Sequence, residues 1–133
     1  MFEWNPEYSV EIASIDSQHQ ALFCMAAELY TAMSSGQGKT ALARILERLV
    51  QYTAAHFAHE ERLMRLCDYS GFSEHKKDHE ALTSQVMQFQ ADFLSGRTAM
   101  SVQVMQFLRN WLDSHIRGRD RLYVPAMAAR AVA

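Results

Sequence analysis

The stretch His56-Phe57-Ala58-His59-Glu60-Glu61 decides how this chain is read. It lies in a run from Thr40 to Cys67 that contains neither glycine nor proline and is helical by pattern. His56 and Glu60 are four residues apart, so on a helix they stack on one face. Leu46, Leu49, Tyr52 and Leu63 share that face, which points the pair into a core. A buried imidazole beside a buried carboxylate is costly unless something pairs with both.

Three more helices follow from the same apolar period. The first covers about residues 17–34 behind an N-cap at Asp16, with the inward stripe His19, Leu22, Ala26, Leu29 and Met33. Ser34-Ser35-Gly36-Gln37-Gly38 ends it. The helix that carries His56 has the stripe Leu42, Ile45, Leu49, Tyr52, His56, Glu60, Leu63 and Met64, and Asp68-Tyr69-Ser70-Gly71 makes the next turn. The third, from about Ser73 to Leu94, presents His75, His79, Leu82, Val86, Phe89 and Phe93. The fourth, from about Ala99 past His115, presents Val104, Leu108, Trp111 and His115, followed by Asp120.

Four amphipathic helices joined by short polar turns predict an all-α, up-down antiparallel four-helix bundle. We read residues 1–133 as a single domain: an N-terminal arm over 1–15, a bundle over about 16–124, and a tail over 125–133. Trp4, Pro6, Tyr8, Val10 and Ile12 of the arm lie across the bundle or cap one end of it. The alanine-rich tail from Pro125 is expected to fray.

The polar core residues converge. His19 opens the first helix, His56 and Glu60 lie near the end of the second, His75 and His79 open the third, and His115 with Asp120 lies near the end of the fourth. In an up-down bundle these four places share one end of the molecule. Histidines tolerated singly in a core would scatter along it, so the sum is a metal site. Five imidazoles and two carboxylates without a thiolate suit iron, copper, nickel or zinc better than magnesium or calcium. Seven ligands exceed one tetrahedral zinc. Two octahedral ions need roughly twelve coordination positions. The histidines, two bridging carboxylates and one bridging solvent oxygen fill all but one of them.

Composition excludes other classes. Hydrophobic residues make up 49% and charged residues 21%, as in an ordinary globular chain. A formal charge of -2 argues against nucleic acid and anionic membranes as partners. No apolar run approaches a membrane span, and the first residues lack the basic and apolar regions of a leader, so the expected location is the cytoplasm. Cys24 and Cys67 show no metal or redox spacing and read as thiols in a reducing compartment. His59-Glu60-Glu61-Arg62-Leu63 departs from the zincin H-E-x-x-H at Leu63, and no glutamate has a histidine three residues later. His59 falls off the inward stripe and is left out of the site.

These residues resemble the hemerythrin family, most closely its single-domain bacterial members. The matching motifs are Ile15-Asp16-x-Gln18-His19, Tyr52-Thr53-x-x-His56-Phe57-x-x-Glu60-Glu61-x-Leu63-Met64, Tyr69, and His75-x-x-x-His79. They continue with Phe107-Leu108-x-x-Trp111-Leu112-x-x-His115-Ile116 and Asp120-x-x-Tyr123. The resemblance spans about residues 4–125. It implies two iron ions with a bridging oxygen: His75, His79 and His115 on one, His19 and His56 on the other, and Glu60 with Asp120 bridging. The vacant position on the second iron would take O2. Leu22, Phe57, Trp111 and Ile116, close to the ligands by helical spacing, match the O2-pocket positions of the family. Glu11 stands where a glycine is common in bacterial members. Asp120, five residues after His115, points about 140° away from it on an ideal helix. It therefore needs a distorted turn or a long reach, and Gly118 would ease the former.

The expected function is reversible O2 binding for storage, delivery to an O2-using enzyme, or buffering, without catalysis. The alternatives are a sensor of O2 or redox state acting through a partner, and a di-iron peroxidase or oxidase. The residues show no second acid/base pair beside the site that would favour an enzyme.

Overall fold

The computed structural model describes residues 2–97 and 99–130. Its main elements are α1 (Ala13–Ser34), α2 (Lys39–Leu66), α3 (Phe72–Leu94), α4 (Val102–Ser114) and α5 (Val124–Ala129). One turn of 3-10 helix at Pro6–Tyr8 precedes α1. A π-helical turn, His115–Arg119, and a 3-10 turn, Asp120–Tyr123, join α4 to α5. No strand occurs among the described residues. The four long helices form the up-down bundle expected from the pattern.

Three of the long helices end alike. The sixth N–H of the closing loop returns to the first carbonyl: Gln37 to Ala32 (3.0 Å), Tyr69 to Met64 (3.0 Å) and Arg97 to Asp92 (2.9 Å). This closure needs a left-handed residue just past the helix. Gly36 (φ 76°), Asp68 (φ 51°) and Gly96 (φ 83°) supply it.

Four expectations are corrected. Asp16 is not the N-cap of α1, which starts at Ala13 behind Ile12. The Asp16 carboxylate instead reaches back to the arm, accepting the Val10 N–H (2.9 Å) and the Ser9 hydroxyl (2.6 Å). The fourth helix starts at Val102, not Ala99, because Ser101 caps it by accepting the Val104 N–H at 3.3 Å. Its buried stripe is Met105, Leu108 and Leu112, with Val104 and Trp111 half-buried on the flank. Pro125 does not begin a frayed segment, since it sits in the first turn of α5, where its missing N–H is harmless. Met127 is fully buried; residues 131–133 lie outside the described residues.

The core has two apolar parts. The larger runs up the bundle through Leu22, Phe23, Leu29, Leu46, Leu49, Met105, Leu108 and Ile116, and the arm's Phe2 and Tyr8 pack on it. The smaller is a plug made of Val10, Ile12, Ile15, Leu63, Met64, Cys67, Tyr123 and Met127. Along α1 the order is Ile15, His19, Leu22, and along α2 it is Leu49, His56, Glu60, Leu63. The polar layer therefore lies between the two clusters and is sealed at one end by the arm and α5.

Candidate metal centre

Eight polar or charged side chains are buried among the described residues, and all but Thr53 belong to this layer: His19, His56, Glu60, His75, His79, His115 and Asp120. Thr53 is satisfied locally by donating to the Leu49 carbonyl at 2.8 Å. The seven expected ligands are thus all brought together, from α1, α2, α3, the start of the π turn and the start of the following 3-10 turn.

The ligand atoms fall into two groups that share both carboxylates. Glu60, His75, His79, His115 and Asp120 form one, and His19, His56, Glu60 and Asp120 form the other, with atoms within 4.8 Å of one another in each. Asp120 straddles the groups. Its Oδ1 lies 3.0 Å from His75 Nε2 and 3.1 Å from His115 Nε2, while Oδ2 lies 3.1 Å from His19 Nε2. Glu60 Oε1 lies 3.1 Å from His56 Nε2 and 3.3 Å from His79 Nε2. Its Oε2 accepts the Tyr123 hydroxyl at 2.6 Å.

Asp120 reaches this position through the π turn. The Asp120 N–H bonds the His115 carbonyl five residues back, which widens the helix and turns residue 120 toward residue 115. The distorted turn expected from the spacing is present. Gly118 does not explain it sterically: its φ is not positive, and a Cβ there would meet nothing within 4 Å.

The donor set fits metal ions and fits little else. His56 Nδ1 is 2.7 Å from Gln18 Oε1, and His79 Nδ1 is 2.8 Å from Glu61 Oε2. Each ring therefore donates its Nδ1 proton outward, and in the neutral tautomer a bare Nε2 lone pair faces the Glu60 carboxylate. His79 Nε2 also lies 3.2 Å from His115 Nε2. Lone pairs facing lone pairs in a dry core need a cation between them. Both nitrogens of His19 and His75, both oxygens of Asp120 and Glu60 Oε1 are buried with no aligned hydrogen-bond partner. Two ligands about 2.1 Å from one ion and at right angles would be about 3 Å apart. The spacings above match that value.

Without metal, this arrangement shifts the ionisation of Glu60, Asp120, His115 and Tyr123. Burial and the nearby Asp120 push the Glu60 carboxyl up, but His56 and His79 outweigh them and hold it at about 2. Burial likewise opposes ionisation of Asp120, yet the facing His115, His19 and His75 hold it well below the usual range. Burial lowers His115, and Asp120 reverses this to raise it. Burial and the two carboxylates push Tyr123 well above an ordinary phenol, so its hydroxyl remains a donor to Glu60.

Leu22, Phe57, Trp111 and Ile116 all line one small cavity, together with Leu112 and the rings of His19, His56 and His115. Its volume is about 10 Å³, room for one water-sized molecule. Leu112 was not expected there, because the stripe read for this helix ran through Val104, Leu108 and Trp111; its place three before His115 is the signal that could have found it. Gln18, Glu61 and Tyr123 stood in the motifs, but only contact distances reveal what each does. His59 belongs to neither group: Arg62 donates to its Nδ1 (3.2 Å), so its Nε2–H points to Ser14 Oγ (2.9 Å).

Two histidines plus three, sharing an aspartate and a glutamate in a bundle core, can be compared with known proteins. The model of the hemerythrin HHE cation binding domain matches residues 10–127. The chain belongs to the hemerythrin family. A bacteriohemerythrin of Pseudomonas aeruginosa (strain LESB58) is 35% identical over 124 residues, covering 93% of this chain and 80% of that one. The bacteriohemerythrin of Stenotrophomonas maltophilia is 32% identical over 126 residues, with 95% and 81% covered. A myohemerythrin of Riftia pachyptila is 32% identical over 122 residues, with 92% and 90% covered. The crystal structure of a wild-type hemerythrin superposes with a TM-score of 0.90 at 28% identity, over 95% of this chain and 97% of that one. Hemerythrin membership thus accounts for the helical order and the polar layer together. Among the described residues, no helix is long and apolar enough to cross a membrane.

Proposed function

We propose that this chain binds O2 reversibly at a non-haem di-iron centre. His75, His79 and His115 hold one iron, His19 and His56 hold the other, and Glu60 and Asp120 bridge them. An iron pair bound there would supply reversible redox binding of O2.

The protein's own part is to orient and to keep dry. Gln18 and Glu61 accept hydrogen bonds from the Nδ1–H groups of His56 and His79, which fixes the tautomer that leaves each Nε2 free to ligate. Tyr123 fixes Glu60 through Oε2. The observation that carries the reading is the cavity of about 10 Å³ against His19 and His56, walled by Leu22, Phe57, Trp111, Leu112 and Ile116. Among the described residues its titratable lining groups are three histidines, all of them proposed ligands. That favours release of O2 over its reduction, hence a carrier and not an oxidase. The physiological setting we propose is storage, buffering or delivery of O2 to an O2-using enzyme in the cytoplasm.

Anaerobic loading with Fe(II), exposure to O2 and addition of azide test the reading. The loaded protein gains visible charge-transfer absorption with O2, which azide shifts after oxidation. A protein that stays colourless overturns it.

A further inference from the structure

A π turn is a less stable hydrogen-bonding arrangement than the α-helix around it, so something must hold this one in place. The arm is placed to do so. Tyr8 is buried on Phe23 (ring centroids 4.9 Å apart), and its hydroxyl donates to Asp113 Oδ1 at 2.7 Å. Asp113 lies in the last turn of α4, just before the π turn. Arg117, inside the π turn, lies over the Tyr8 ring at 4.9 Å. Its Nε is 3.4 Å from the same Asp113 oxygen, and its Nη2 is 2.5 Å from Glu7 Oε2. Beyond the turn, Arg121 donates to the Glu7 carbonyl. Residues before, within and after the distortion are thus all fastened to Glu7 and Tyr8.

We propose that Tyr8, Asp113 and Arg117 form a latch that sets the position of Asp120, and so govern how firmly the metal centre is held. None of them touches the ligand layer. The latch acts through the backbone: with it open, the Asp120 N–H can leave the His115 carbonyl, and the carboxylate swings away from His19, His75 and His115. Arg117 and Glu7 are exposed and Asp113 is half-buried, so their ion pairs add little to global stability. The buried Tyr8 ring supplies the rigid surface against which they align.

This inference rests on the di-iron reading, and two measurements on Tyr8→Phe, Arg117→Ala and the double variant keep the two apart. The first is hydrogen exchange of the Asp120 amide in metal-free protein. It should quicken about tenfold in the double variant, roughly the loss of one hydrogen bond and one ion pair. Amides in the middle of α2 should not change. The second is the rate of iron loss to a chelator, which should rise in parallel. Arg117→Lys, which keeps a cation beside Asp113 and Glu7, should recover part of both relative to Arg117→Ala. Unchanged exchange at Asp120 overturns the latch. Faster exchange with unchanged iron loss overturns its role at the centre. Equal iron loss in Phe93→Ala, chosen to match the double variant in melting temperature, would reduce the effect to general destabilisation and overturn it as well. A wild-type chain that takes up no iron refutes the di-iron reading, and the exchange data then stand alone on the latch.

Discussion

His115 Nε2 and Asp120 Oδ1 are 3.1 Å apart although five residues separate them, a spacing that an unbroken α-helix would point in different directions. The π turn makes Asp120 available to histidines from α1, α3 and the end of α4 at once. No other side chain in the layer faces His19 on one oxygen and both His75 and His115 on the other.

Asp120→Ala should therefore disturb both ions together. Metal analysis should give about two irons per wild-type chain and less than one in the variant. His75→Ala, which removes a ligand from one group only, should leave intermediate occupancy. Loss of a single iron from Asp120→Ala, with the other spectroscopically unchanged, would contradict bridging.

Glu61 touches no proposed ion, yet it should matter. It accepts the His79 Nδ1–H at 2.8 Å and so fixes the ring and raises its basicity. Replacing such a partner commonly costs 10–100-fold in metal affinity, as a rough guide. Glu61→Ala should show that loss in a competition with a chelator, and Glu61→Gln, which can still accept the proton, should lose less. Equal affinity in all three would show that the contact is incidental.

Leu22 and Ile116 should keep the cavity dry. Truncation of either to alanine should destabilise the fold by about 2–5 kcal/mol, as for core residues generally. Both should also admit water and hasten oxidation of the O2-bound form. Phe93 is buried in the same apolar cluster but does not line the cavity. Compared at matched stability, Leu22→Ala should lose its O2 spectrum faster than Phe93→Ala. Identical rates would remove the cavity from the argument.

Metal-free and iron-loaded protein should respond to pH in opposite senses. In the metal-free fold Glu60 (about 2) and Asp120 titrate below their ordinary values. Their contribution is complete above about pH 4–5 and is lost as pH falls through the folded values. His115 titrates above its ordinary value. Its contribution is complete below about pH 6.5 and is lost as pH rises. The metal-free form should be most stable near pH 5–6. Iron requires neutral imidazoles, so the loaded form should gain on it as pH rises. Calorimetry at pH 5 and pH 8 should show the gap in melting temperature widening; a constant gap would contradict this.

Glu11 adopts φ 62°, in the left-handed region that glycine enters without strain. A side chain in the left-handed region is strained, at a cost of order 1 kcal/mol. Glu11→Gly should be neutral or raise the melting temperature slightly, with iron content unchanged. A clear fall would mean that the Glu11 side chain carries a contact that outweighs the strain.

The sequence made the bundle and the ligand layer readable because a 3.6-residue period sorts His19, His56, Glu60, His75 and His79 inward without knowledge of their neighbours. Asp120 was readable only as a misfit. The spacing called for a distorted turn or a long reach, and the π hydrogen bond that decides between them leaves no signature in the local pattern. Asp16 looked like a cap because caps are local, whereas its partners are Ser9 and the Val10 N–H on an arm whose path is set by packing. The alanines around Met127 suggested a loose end for a similar reason. One methionine among small residues gives little periodicity, and only the plug shows where it goes.

That plug also orders events in time. Val10 and Ile12 emerge early in synthesis and Met127 late, yet they complete one apolar seal over the polar layer. A growing chain presents His19, His56, Glu60, His75 and His79 well before His115 and Asp120. Until the last segment docks, water reaches those side chains and any captured ion remains exchangeable. Finished geometry and retention of the ions arrive together, so a half-made polypeptide is poorly suited to trap a reactive metal.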